Sequence, residues 1–301
     1  ENRPRRMAEL CGILSVDKPT GMTSHDVVAA VRRITGQRRV GHAGTLDPLA
    51  TGLLLLCLGR ATRVAEYLMR GRKVYQATVR LGAVTDSYDA MGRVVAVAPV
   101  DDLSGEQIAE ALAEFVGRIE QTPPVYSAIK SKGTPLYKLA RQGRAVSPPP
   151  RRVEVEAIEL LAWNAPDLTL LVRCGPGTYV RSLAHDLGQR LGPGGHLTAL
   201  RRLSQGRWRV EDAASLEEVA EAFQKGFGPQ ILHPPDEALL EFAAVALDSE
   251  QASSVRHGRS VGLSAPAGSS TLRAYAPTGE FLAILEPEED SGLWHPAKVF
   301  A

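Results

Sequence analysis

Two glycine-flanked segments hold the side chains best suited to chemistry. The first, Gly41-His42-Ala43-Gly44-Thr45-Leu46-Asp47-Pro48-Leu49-Ala50-Thr51-Gly52, sets one imidazole and one carboxylate among three glycines and a proline. Such a run turns tightly and lets a backbone or a nucleotide come close. Asp47 fits a nucleophile or a general base there, provided a neighbour keeps it ionised; Thr45 and Asp47 equally fit turn residues that bond their own backbone. The second segment, Gly175-Pro176-Gly177-Thr178-Tyr179-Val180-Arg181-Ser182-Leu183, is a turn that opens a helix, with Tyr179 and Arg181 in its first turn. A cation at a helix N-terminus opposes the helix dipole, so Arg181 calls for a specific partner, and Asp47 is the candidate.

Other reaction signatures are missing. The chain has no G-x-x-x-x-G-K-[ST], no G-x-G-x-x-G between strand and helix, no His pair at metal-ligand spacing and no G-x-S-x-G elbow. The expected chemistry uses side chains alone, with no cofactor and no metal.

The scaffold around these segments reads as mixed α and β. A strand over 10–16 ends at Asp17-Lys18-Pro19, and Thr23 or Ser24 caps a helix that carries Val27, Val28, Val31 and Ile34 on one face, with Gly36 past its end. A buried strand over 53–58, a helix over 60–70 and a strand over 73–81 follow. Ser104 and Gln107 form a capping box ahead of Ile108, Leu112, Phe115 and Val116, and Gly117 closes that helix. Strands are expected over 153–161 and 168–174, a helix over 178–191, and an acidic helix over 211–225. A Pro-rich linker over 228–235 leads to a small β-rich unit with strands near 243–247, 271–275 and 281–285.

Charge is divided along the chain. The 301 residues carry 35 Lys+Arg and 34 Asp+Glu, a net of +1, yet residues 1–210 hold 30 basic and 19 acidic side chains and residues 211–301 hold 5 and 15. The first part has the electrostatics of a polyanion's partner. Its most basic stretch, 121–153, has seven basic residues (Lys130, Lys132, Lys138, Arg141, Arg144, Arg151, Arg152) and no acidic one. It suits an arm that grips a phosphate backbone, or simply a solvated loop. The longest apolar run, 53–58, is far short of the ~20 residues that span a bilayer. No apolar stretch follows residues 1–6, so no secretory signal is expected. Cys11, Cys57 and Cys174 are scattered and odd in number, which points to buried thiols in the cytoplasm rather than to disulfides or a zinc site.

Five blocks in order, Asp17-Lys18-Pro19-Thr20-Gly21-Met22-Thr23-Ser24, the 41–52 loop, Gln121-Thr122-Pro123-Pro124-Val125-Tyr126-Ser127-Ala128 with Lys130, 177–188, and Leu197-Thr198-Ala199-Leu200-Arg201-Arg202, resemble the motifs of the TruB family of tRNA pseudouridine synthases. Arg256-His257-Gly258 resembles, weakly, the family's small C-terminal RNA-binding PUA domain. The resemblance implies an α+β catalytic domain with a central, largely antiparallel mixed sheet over 7–232, the basic arm at 121–153, and a PUA-type β-barrel over 240–301. It further implies isomerisation of uridine 55 in the T-loop of tRNA to pseudouridine, without cofactor or obligatory protein partner, by a monomer.

By the same resemblance Asp47 matches the catalytic aspartate, as nucleophile or base, and Arg181 the arginine that pairs with it and lowers its pKa. A base that is to be isomerised has to be flipped out of its stack. Tyr75 matches the residue that stacks on the target uracil, Tyr179 an aromatic beside the base, Leu200 an apolar contact beneath it, and His42 a residue that fills or opens the space the nucleotide leaves. Read without the resemblance, Tyr75 and Leu200 fit core residues and His42 a loop hydrogen-bonder. Lys18-Pro19 reads first as a scaffold under the loop. Ser87-Tyr88 before Asp89 departs from the family pattern, and the acidic C-terminal part leaves only Arg256, Arg259 and Lys298 to meet phosphates. Prying open the T-loop also suits a tRNA-folding chaperone. A guide-RNA-dependent synthase of the dyskerin type shares the motifs, but such proteins carry basic tails and this chain's last third is acidic.

Overall fold

The structure, a computed structural model, describes residues 10–100, 103–126, 148–289 and 291–300, together with the backbone of the short strands Lys130–Ser131 and Thr134–Pro135. Lys132, Lys138, Arg141, Arg144 and the side chain of Lys130, the centre of the expected basic arm, lie outside the described residues. The arm's ends are sheet: Arg151 and Arg152 open the strand Arg151–Asn164 and pair with Gln121 and Glu120 of Gly117–Gln121.

A nine-stranded sheet holds the chain together in the order Gly12–Lys18, Thr51–Leu58, Gly195–Gln205, Lys73–Leu81, Asp167–Cys174, Arg151–Asn164, Gly117–Gln121. Val40–His42 and Trp208–Arg209 add beside the second and third of these. Pairings are antiparallel except where Gly195–Gln205 meets Thr51–Leu58, in register Arg201↔Thr51 and Arg202↔Gly52. The reason for strand structure is period-2 burial: in Lys73–Leu81 the residues Lys73, Tyr75, Ala77, Val79 and Leu81 point inward. Thr51–Leu58 is buried on both faces because it divides two cores. Leu54, Leu56 and Leu58 face one shared with Val27, Val31, Ile108, Leu183 and Leu187, while Leu53, Leu55 and Cys57 face another that includes Ile284 and Phe300 of the C-terminal sheet.

Thr23 caps the helix Ser24–Thr35 through a reciprocal box with Asp26, and Gly36 ends it at φ 65°. The helix Gly105–Ala113 has the expected Ser104–Gln107 box but stops before Phe115 and Val116, as the chain turns at Gly117 (φ 103°) into the next strand. Val180–Leu191 begins later than expected, which makes Tyr179 its N-cap and leaves only Arg181 in its first turn. The acidic helix expected over 211–225 is split into a 3-10 turn Val210–Asp212 and a Ser215-capped helix Leu216–Gln224. The break has a cause: Ala214 donates to the Ser15 carbonyl (3.1 Å) and accepts from Asp17 (2.9 Å), so its backbone is bound to the first strand.

The expected linker over 228–235 is likewise docked. It contains the 3-10 turn Gly228–Ile231, and His233 exchanges two 2.8 Å backbone hydrogen bonds with Ile13. Beyond it, Ala243–Ala246, Leu272–Tyr275, Phe281–Pro287 and Trp294–Val299 form a four-stranded sheet with the helix Ser249–Arg256 beside it. Its first two strands are parallel and the outer two never pair, so among the described residues no barrel closes, contrary to the expectation from resemblance. Closure needs enough tilted strands to complete a circle, and beyond its neighbour Phe281–Pro287 the last strand gains only a single bridge, from Trp294 to Val261. Cys57 and Cys174 are buried as expected, whereas Cys11 is exposed. Among the described residues no helix is long and apolar enough to cross a membrane.

Candidate active site

The loop carrying Asp47 is held from three directions. Ser24 Oγ donates to the Leu46 carbonyl (3.1 Å) and accepts from Leu46 N (2.8 Å), and Gly21 N donates to the Pro48 carbonyl (2.8 Å). Lys18 Nζ donates to the carbonyls of Pro19 (2.9 Å) and Met22 (2.6 Å), folding the turn that brings Gly21 and Ser24 to the loop. Lys18-Pro19 is thus the scaffold its sequence suggested, and burial pulls the Lys18 ammonium down to about 8. From the opposite side Gln205 Nε2 donates to the Ala43 carbonyl (2.7 Å) and Arg202 Nη2 to the Gly44 carbonyl (3.1 Å). With its ends fixed, the loop can present a charged side chain without folding away from it.

Asp47 and Arg181, 134 positions apart, meet as expected. Arg181 Nη2 donates to Asp47 Oδ1 (3.1 Å), and its Nε lies 2.9 Å from Oδ2. The guanidinium is itself fixed: Nη1 faces the Ser87 carbonyl (3.2 Å) and Asp89 Oδ2 (3.4 Å), and Nη2 also donates to the Tyr126 carbonyl (3.0 Å). Arg181 is almost wholly buried, yet 34% of the Asp47 side chain is accessible, so one edge of the carboxylate opens outward. The net direction for the Asp47 carboxyl is upward, from burial first and from Asp89 as well, with Arg181 and Lys18 pulling it back. This corrects the expectation of a net lowering: Arg181 limits the rise that burial imposes.

Tyr75 and Leu200 share the main core with Leu46 and Val180, the neighbours of Asp47 and Arg181. Both are inward-facing residues of adjacent strands, and burial pushes the Tyr75 hydroxyl up. Tyr179 is half-buried, and its backbone is clamped reciprocally by Gln121: Tyr179 N donates to Oε1 (2.8 Å) and Nε2 donates to its carbonyl (3.0 Å). Among the described residues, the neighbours of His42 that shape its ring are His25 and Arg202. His42 ends a strand, its ring tilts against His25 at 5.5 Å, and burial lowers its pKa, helped by His25 and Arg202.

Two residues at the centre of this arrangement were not singled out for a role in the sequence. Asp89 is held by Ser87 Oγ (2.7 Å) and Met91 N (3.0 Å), in a turn where Tyr88 adopts φ 66° and stacks on His185 at 3.9 Å. The departure at Ser87-Tyr88 was its only signal. Arg202 lies in a quoted motif, but which backbone it reaches depends on strand pairing. Chemically, the site offers one carboxylate held in place by a guanidinium, with an open edge beside aromatic and apolar surface. Among the described residues no group of three His, Cys, Asp or Glu is arranged to hold a metal ion.

The chain is similar to known proteins along most of its length. A family model described as TruB family pseudouridylate synthase (N terminal domain) matches residues 32–180, one described as tRNA pseudouridylate synthase B C-terminal domain matches 181–239, and one described as tRNA Pseudouridine synthase II, C terminal matches 242–301. A protein of Dehalococcoides mccartyi named tRNA pseudouridine synthase B is 42% identical over 96% of both chains. One of the same name from Syntrophotalea carbinolica is 48% identical over 78% of this chain and 76% of its own. Among solved structures, a chain of an H/ACA RNP bound to a substrate RNA containing 2′-deoxyuridine superposes with a TM-score of 0.73 at 25% identity, covering 99% of this chain and 88% of that one. A chain of a Cbf5-Nop10-Gar1 complex gives 0.73 at 26%, covering 100% and 91%. With identity of this level sustained over almost the whole length, the chain belongs to the TruB family of pseudouridine synthases, enzymes of the isomerase type.

Proposed function

We propose that this chain isomerises uridine 55 in the T-loop of tRNA to pseudouridine, with Asp47 as nucleophile or base. The observation that carries the reading is the Asp47–Arg181 pair: a carboxylate gripped on one side at 2.9 and 3.1 Å and open on the other, next to Tyr75 and Leu200. In the reaction the N1–C1′ glycosidic bond breaks, the uracil turns, and C5 bonds to C1′. N1 gains a proton and C5 loses one, so no redox partner is required. Asp47 assists at the sugar or the base, Tyr75 stacks on the flipped uracil, Leu200 supports it from below, Tyr179 lies beside C5, and His42 borders the space the nucleotide vacates.

The reading extends to the division of labour. Residues 7–232 form the catalytic part, with the basic stretch 121–153 gripping the T-arm, and residues 240–301 bind RNA next to it. The second assignment is supported by a cleft of about 820 Å³ between the two parts, lined by Arg39, Arg63, Arg256, His257 and by Lys298, which pairs there with Glu66. The enzyme works as a cytoplasmic monomer, and opening of the T-loop lets it also act as a tRNA-folding chaperone. A synthase active only inside a ribonucleoprotein is the competing reading, favoured by the RNP setting of the solved relatives.

One experiment separates them. The purified chain alone is given full-length tRNA transcript tritiated at uridine C5, and a second transcript with cytidine at position 55. Tritium release of one equivalent from the first and no 55-dependent release from the second is expected. No release without added RNA or protein partners would sink the stand-alone reading, and release independent of position 55 would sink the site assignment.

A further inference from the structure

Arg202 is 1% exposed, and among the described residues no carboxylate lies within ion-pair distance of it. A buried guanidinium without a counter-charge is costly, by several kcal/mol in general, unless its donors are met by well-placed acceptors. Here the acceptors are functional. Nε donates to the Leu53 carbonyl (2.6 Å) and Nη2 to the Gly44 carbonyl (3.1 Å), the two ends of the loop that holds Asp47. On the adjoining strand Arg202 is the direct cross-strand partner of Tyr75, and its positive charge partly offsets the rise that burial imposes on the Tyr75 hydroxyl.

The surrounding backbone accommodates this arrangement. Gly195–Gln205 runs between the strand of Tyr75 and the strand that follows the loop, pairing with Gly52 on that side. Gly52 sits at φ 95°, and a Cβ there would be driven into the Arg202 backbone, whose nitrogen is only 2.8 Å away. Gly44, at φ 119°, leaves the space in which a Cβ would come within 3.5 Å of the Arg202 Nη1 and 3.3 Å of Gln205 Oε1. Of the loop's three glycines, Gly52 thus makes room for the Arg202 backbone, while a Cβ at Gly44 would press on Gln205 and only touch the Arg202 guanidinium.

We propose that Arg202 is a positioning residue that ties Tyr75 to the Asp47 loop, so that the base platform and the carboxylate hold a fixed separation during the reaction. This rests on the reading above, in which Tyr75 carries the uracil and Asp47 acts on it. A neutral side chain could fill the same volume, but the guanidinium binds both loop ends from the position directly across from Tyr75.

The test is a double-mutant cycle with Tyr75→Phe and Arg202→Met, read as the single-turnover rate of tritium release and, separately, as tRNA affinity. Misplacing a reacting group by about 1 Å can cost about 10²-fold in rate, so Arg202→Met is expected to slow release by about that factor with affinity changed less than about 3-fold. The double variant should be barely slower than Arg202→Met alone, because the two side chains face each other across the strands and act through one contact. Arg202→Lys keeps the charge but loses the planar fork, and is expected to be slow as well while melting close to wild type. Rate losses that multiply in the double variant, or an Arg202→Lys protein as fast as wild type, would overturn the proposal. Activity in Asp47→Asn would instead sink the reading on which it rests, so the two failures are distinguishable.

Discussion

Every buried polar or charged side chain among the described residues lies between Ser15 and Gln205, while the C-terminal sheet closes over Leu272, Ala274, Leu282, Leu285 and Trp294 and keeps its charges outside. Around the loop, Lys18, Asp89, Arg181 and Arg202 are each at most 4% exposed. In the C-terminal part, Arg256 and Glu280 meet at 3.3 Å on the surface, where such a pair adds little. Burying charge is expensive, and a fold that only needs to be stable avoids it. The two regions therefore differ in what their packing is for. The first buries charge around the loop proposed to do the chemistry; the second has an ordinary apolar core with its charges on the exterior.

The comparison can be broken at several points. The largest effect is expected from Arg181→Met, about 10³-fold or more in tritium release, since Asp47 loses both its orientation and its counter-charge. In the proposed reading Asp47 acts in its ionised form, and Arg181 is the main influence pulling its carboxyl down. Without it burial and Asp89 push upward, so the acid limb of the rate profile should move to higher pH; a limb that stays put would contradict the pairing. Asp89→Asn should cost less, about 10- to 10²-fold, through looser anchoring of Arg181. Its acid limb should move the other way, to lower pH, because Asp89 raises the Asp47 carboxyl.

The C-terminal region should respond in stability instead of rate. Leu285→Ala, at a fully buried position, is expected to cost about 2–5 kcal/mol on denaturant unfolding, with single-turnover release from saturating tRNA unchanged. A slowed chemical step would show that the two regions are not separable. The smallest effect belongs to exposed pairs: Arg80→Ala, which breaks the 2.7 Å contact to Asp167, should shift stability by about 0–1 kcal/mol and leave the rate alone. Affinity for tRNA, by contrast, should fall steeply with salt despite the chain's net charge of +1, because local phosphate contacts set the slope.

Local pattern was legible in the sequence and long-range pairing was not. Lys73–Leu81 alternates plainly and the caps at Thr23 and Ser104 are local motifs, so these starts are legible, although the Ser104-capped helix ends at Ala113, short of Phe115 and Val116. Gly195–Gln205 was missed as a strand because Arg201 and Arg202 stand together with no alternation of polarity; only the structure shows that Arg201 turns to Asp17 (2.7 Å) and Arg202 inward. Trp294–Val299, interrupted by His295 and Pro296, hid in the same way. The Asp47–Arg181 pair was legible through motif resemblance, but Asp89 and Arg202 act through partners brought together by the fold. The expected sign at Asp47 failed because burial cannot be read from residue types. The separated charges of the sequence, +11 and −10, run alongside this division in packing, with the buried charges confined to the first part.

The central claim is that Asp47 performs the isomerisation and that the surrounding charges serve it. Single-turnover tritium release from C5-labelled tRNA by wild type and Asp47→Asn, with tRNA affinity measured in parallel, tests it most directly. The account predicts that Asp47→Asn binds tRNA within about 3-fold of wild type yet loses at least about 10⁴-fold in release. An Asp47→Asn protein that releases tritium at a rate near wild type would contradict it.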